Sequence, residues 1–130
     1  MVGIVVVSHG DLANAYVNAA VMLVGEPEQL SVIGIYPGDS PKEIYSKIEQ
    51  CIKDTDTGDG VIALVDLYGG TPNNTVARLS REYNVRILTG ANLPMVMYAI
   101  VERTDDMTQQ DLVDGFLSTG IEGIAEFAVK

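Results

Sequence analysis

The sequence has one cysteine and one histidine in 130 residues. A single thiol excludes a disulfide framework within the chain and a multi-thiolate zinc site. A single imidazole excludes a histidine-rich metal centre, and neither a metal nor another cofactor is expected. Basic residues are scarce: 8 against 18 acids, a formal net charge of −10. That balance argues against nucleic acid as the main ligand, because phosphate backbones would be repelled, and it leaves room for a basic protein partner. No apolar run reaches the ~18 residues that cross a bilayer. The opening Met1-Val2-Gly3-Ile4 carries no basic leader and no cleavage signal. The expected location is cytoplasmic. At about 100–200 residues per domain, 1–130 reads as one domain.

Four short apolar runs are present: Ile4–Val7, Leu30–Tyr36, Val61–Val65 and Val85–Leu88. Each is rich in Val and Ile and nearly continuous rather than alternating, the pattern of strands buried on both faces. Helical spacing follows each run. The first helix carries Leu12, Ala13, Tyr16, Ala19, Ala20 and Leu23 and stops at Gly25; the second carries Ile44, Ile48, Cys51 and Ile52 behind the start signal Ser40-Pro41. The third carries Val76, Leu79 and Tyr83 behind Thr71-Pro72, and the fourth Met95, Tyr98, Ala99 and Val101. A last helix is expected over Gln109–Ala128. Met22, Met95 and Met97 sit at helical positions and read as core. Cys51 reads as an inert core thiol. Strands alternating with helices predict βαβ units with right-handed crossovers. The expected fold is an α/β open sandwich with a central four-stranded parallel sheet flanked by helices.

Open parallel sheets bind ligands at the carboxyl ends of their strands. The segments just after the runs are Ser8-His9-Gly10-Asp11, Pro37-Gly38-Asp39-Ser40, Asp66 through Pro72, and Thr89 through Pro94. All are rich in glycine, proline and small polar residues. His9 stands at the first strand tip. Alone it reads as a surface or capping histidine; beside a switch point, with Gly10 clearing the approach, it reads as a reacting group. Asp66 ends the third strand, which a right-handed doubly wound sheet places beside the first. It either caps the following turn or accepts a hydrogen bond from one ring nitrogen of His9, leaving the other as a nucleophile. A phosphoryl group suits such a nucleophile. No basic residue lies at a strand tip, Lys42 being one turn into a helix. Anion binding would rest on the backbone of Gly69-Gly70-Thr71-Pro72 and the Thr71 hydroxyl. Tyr68 is a candidate for partner contact or a loop tyrosine folded on the core.

These blocks, in this order, resemble the enzyme IIA component of the mannose/fructose/sorbose class of the sugar phosphotransferase system (PTS). The resemblance runs from Ile4 to about Gly123. Its anchors are Ser8-His9-Gly10, Gly25, Asp66 through Asn73, and Thr89 through Met95. It implies a phosphohistidine carrier. His9 would take a phosphoryl group from the protein HPr through Nε2, with Asp66 as its acidic partner. It would pass the group to a IIB component serving membrane IIC/IID subunits. The resemblance also implies a homodimer with one extra, antiparallel strand exchanged between subunits; here the exchanged piece would come from about 101–107. Tyr68 stands where Trp or Phe is frequent, and Asn73 where an aromatic is frequent; both departures concern the docking rim. With no IIB sequence following, IIB is expected on a separate chain. Rival readings are a response-regulator receiver built on Asp66, a phosphotransfer subunit of a dihydroxyacetone kinase, and a regulatory module with a dead site. The receiver lacks its acidic pair after strand one and its lysine.

Overall fold

The computed structural model describes residues 1–129. Four strands, β1 (Gly3–His9), β2 (Leu30–Ile35), β3 (Val61–Val65) and β4 (Val85–Thr89), form one sheet in the order β2-β1-β3-β4. All neighbours are parallel, with Ile4 opposite both Leu30 and Ile62, and Ile62 opposite Arg86. The helices are α1 (Leu12–Val24), α2 (Pro41–Thr55), α3 (Gly70–Leu79), α4 (Leu93–Val101) and α5 (Gln109–Glu122). The expected parallel α/β sandwich is the fold observed.

The strands look continuously apolar because both faces are covered. Side chains alternate across a strand, so Ile4, Val6, Ile62 and Leu64 pack with Ala13 of α1, Met95 and Ala99 of α4, and Leu112 and Phe116 of α5. Val5, Val7, Ala63 and Val65 face the other way, onto Ile44, Ile48 and Ile52 of α2 and Val76 and Leu79 of α3. β1 therefore contributes to both cores, and its tip is carried by a strand buried on both faces.

The helix starts follow local chemistry. Ser40 caps α2 by accepting from the Glu43 N–H at 3.1 Å, with Pro41 in the first turn. Thr108 and Asp111 cap α5 reciprocally, at 3.1 and 3.0 Å. Asn92 caps α4 through the Met95 N–H. Glycines seat α5 against α4: a Cβ at Gly115 would lie 1.9 Å from the Tyr98 hydroxyl, and one at Gly120 would lie 2.8 Å from Met95 Sδ.

Several local expectations differ from the structure. α5 ends at Glu122 rather than near Ala128. β2 stops one residue short of Tyr36, whose carbonyl accepts from Asp39 N–H while its own N–H donates to the Asp39 carboxylate, closing a turn. α3 begins at Gly70, not behind a Thr71 cap. Met22 is 86% exposed, whereas Met95 is buried and Met97 half-buried; α1 is apolar almost all round, so spacing alone did not tell its inner face. Cys51 is half-buried, and burial is the main force that pushes its thiol pKa up.

The segment 101–107 is not a strand. Val101 ends α4, and Arg103 is buried, its guanidinium donating to the carbonyls of Ala99 (3.2 Å), Val2 (2.7 Å), Gln29 (3.1 Å) and Glu28. Those bonds fasten the segment to the end of α4 and to the chain just before β1 and β2.

Phe116 is fully buried and meets Tyr98 edge-on, with ring centroids 5.1 Å apart. Phe116→Ala is expected to lower the unfolding free energy by about 3–5 kcal/mol in urea titrations; a loss below about 1 kcal/mol would show that α5 is dispensable to the core.

Candidate functional site

The site is assembled at the tips of β1 and β3. β1 pairs with β3 up to Val7 opposite Val65, and Asp66 N–H continues the ladder by donating to the Val7 carbonyl at 3.2 Å. That register sets Asp66 beside His9. Asp66 Oδ2 accepts from His9 backbone N–H at 3.0 Å and also lies 3.0 Å from His9 Nδ1. An ionised carboxylate has only acceptors, so Nδ1 carries the proton and Nε2 carries the lone pair. One oxygen thus fixes both the backbone under the ring and the ring itself.

The two partners differ in exposure. The imidazole is 52% exposed and the carboxylate only 10%. Asp66 Oδ1 is buried and has no hydrogen-bond donor among the described residues. The charge of Asp66 is therefore directed at His9 rather than shared. A ring that gains positive character as Nε2 forms a bond is stabilised by that neighbour.

Gly70 borders the open edge of the ring. A Cβ there would stand 3.7 Å from both Nε2 and Cε1, and its φ of +77° is one that side chains avoid. Gly69 is the N-cap of α3, also at φ +77°, and has no side chain to cover the first-turn N–H groups. Thr71 is exposed in that turn, and Tyr68 is 87% exposed ahead of it. Gly10, at φ +55°, donates its N–H to the Ile35 carbonyl at 2.7 Å, tying the turn after His9 to β2. Of the residues picked out by sequence, Asp66 and Gly70 lie against the His9 ring, Gly10 follows it in the chain, and Tyr68, Gly69 and Thr71 adjoin Gly70.

Two participants escaped sequence reading. Ser8 is fully buried, and its Oγ accepts from Ala13 N–H at 2.7 Å, capping α1 from five residues upstream. Asp11, the N-cap residue by position, makes no capping bond; its carboxylate accepts from the Tyr36 hydroxyl instead. Asp11 and Asp66 are thereby held by different partners. Only the strand-ending position of Tyr36 before Pro37-Gly38 hinted at a role.

A parallel α/β domain with an exposed, acid-oriented histidine at its central strand tip is a framework for transfer of a small group through nitrogen. A family model described as the PTS system fructose IIA component, EIIA-man, matches residues 3–116. The chain belongs to this family. It is 32% identical, over 131 aligned residues and 99% of its length, to the PTS system mannose-specific EIIAB component of Escherichia coli, and spans 40% of that protein. It is 27% identical to the PTS system fructose-specific EIIA component of Bacillus subtilis, over 88% of this chain and 78% of that one. Its fold is similar to that of the phosphotransferase system component EIIA from Streptococcus agalactiae, with a TM-score of 0.88, 30% identity and 97% of each chain covered. Among the described residues no helix is long and apolar enough to cross a membrane.

Asp66→Ala is expected to release the ring so that the proton spreads over both nitrogens. The ¹⁵N shifts of His9 should then move from one protonated Nδ1 towards a mixture; unchanged shifts would show that Asp66 does not set the tautomer.

Proposed function

We propose that this protein is a phosphohistidine carrier in which Nε2 of His9 accepts a phosphoryl group from phosphorylated HPr and passes it to a IIB component. Through IIB the group would reach sugar entering by membrane IIC and IID subunits. Family membership supports the coarse part of this reading, a phosphotransfer component of sugar uptake. The single observation that carries the finer part is the exposed imidazole whose Nδ1 is held by Asp66.

The step balances without a proton. The Nε2 lone pair forms the new N–P bond as the donor's P–N bond breaks, and that electron pair returns to the donor's ring. Passing the group on repeats the same exchange. The two nitrogens must stand in line across the phosphorus, which is a matter of positioning. Nδ1–H stays with Asp66 throughout. The space beside Gly70 receives the phosphoryl oxygens, and the uncapped first turn of α3 with the Thr71 hydroxyl supplies donors. Gly10 and Tyr68 form the rim that meets a partner. A net charge of −10 favours basic partners, and the exchange rate should fall as salt screens the attraction.

A homodimer belongs to the same proposal. The support is apolar surface left uncovered near the end of the chain, where Ile121, Ile124, Phe127 (89% exposed) and Val129 lie open. Sedimentation should give a dimer, and Ile124→Ser with Phe127→Ser should shift it to monomer. A monomer at tens of micromolar would refute the dimer.

With phosphoenolpyruvate, enzyme I and HPr, intact-mass analysis should show one added phosphate, labile in acid and stable in alkali. His9→Ala should abolish it, and Asp66→Ala should slow it by about 10- to 10²-fold, the scale of losing an orienting partner. Labelling that survives in His9→Ala would end the proposal.

A further inference from the structure

We infer that Tyr36 is a positioning residue for the carrier chemistry: its hydroxyl holds the Asp11 carboxylate away from the path of the phosphoryl group to His9. This inference rests on the carrier reading proposed above.

Asp11 is two residues from His9 and occupies the N-cap position of α1. The ordinary place for an aspartate there is over the first-turn N–H groups of its helix. In this chain Ser8 Oγ takes Ala13 N–H, and Asp11 turns outward to the Tyr36 hydroxyl. The phenol lies over Gly34, whose missing side chain makes room first for the Gly10 carbonyl and then for the phenol. A Cβ at Gly34 would lie 2.9 Å from the Tyr36 hydroxyl and 3.1 Å from its ring.

The backbone of the turn does not need this bond. His9 N–H is held by Asp66, Gly10 N–H by the Ile35 carbonyl, and the Asp11 carbonyl accepts from Ala15 N–H at 2.9 Å. What the phenol adds is the location of a charge. The same residue restrains the acid on the neighbouring tip: Tyr36 N–H donates to Asp39 Oδ2 at 2.9 Å, and Lys47 Nζ lies 3.8 Å from that oxygen. A carrier of a doubly anionic group that also carries a large acid excess must keep carboxylates out of the approach. Tyr36 does so for both adjoining tips.

Tyr36→Phe should fold normally and accept phosphate from phospho-HPr about 3- to 10-fold more slowly, the scale of one exposed charge near another. Two readouts separate charge from loosened structure. The defect should shrink as salt rises, because exposed charges are screened. It should also disappear in Tyr36→Phe/Asp11→Asn and be absent from Asp11→Ala, which lacks the bond and the charge together. A wild-type rate in Tyr36→Phe, or slow transfer in the double variant or in Asp11→Ala, would overturn the inference. His9→Ala run alongside keeps the two ideas apart. Labelling of that variant removes the carrier reading, whereas a silent His9→Ala with a fast Tyr36→Phe removes only the role of Tyr36.

Discussion

The bond between Asp66 and His9 is the constraint around which the site is arranged. It joins two strand tips that are 57 residues apart in sequence and adjacent only because β1 and β3 pair in parallel. One carboxylate oxygen serves both the backbone and the ring of His9. The ring is thus oriented by the sheet rather than by its own loop, and a half-exposed side chain acquires a fixed direction. Loss of rotational freedom that would otherwise oppose a reaction has been met during folding.

Around that bond, the structure separates support from access. The two cores hold β1 from both faces. The elements that border Nε2 are glycines and a helix start, which leave space and donors instead of side chains. An acidic protein can present such a site only if its carboxylates are assigned. Asp66 is directed at the imidazole, Asp39 meets Lys47 and a backbone N–H, and Asp11 meets a phenol.

Much of this was legible in the sequence. The four strands could be read because burial on both faces leaves an uninterrupted apolar run, and the start of α2 because capping chemistry is local. The pairing of Asp66 with His9 followed from handedness and topology. Other features were not legible. Tyr36 and Asp11 meet across two loops, and no local pattern records a contact between side chains 25 positions apart. Ser8 reads as part of a strand-tip motif, although its hydroxyl caps a helix. α1 is too uniformly apolar for spacing to show that Met22 faces outward. The burial of Arg103 was not legible either, because the main-chain carbonyls that satisfy it come from distant parts of the chain.

Arg103 also gives the sheet a clasp at the end opposite the site. Its guanidinium is bonded to main-chain carbonyl groups, which do not titrate at all. Burial lowers its proton affinity, but from a starting point so high that it stays charged. The clasp therefore keeps both its charge and its acceptors as the solution around it changes.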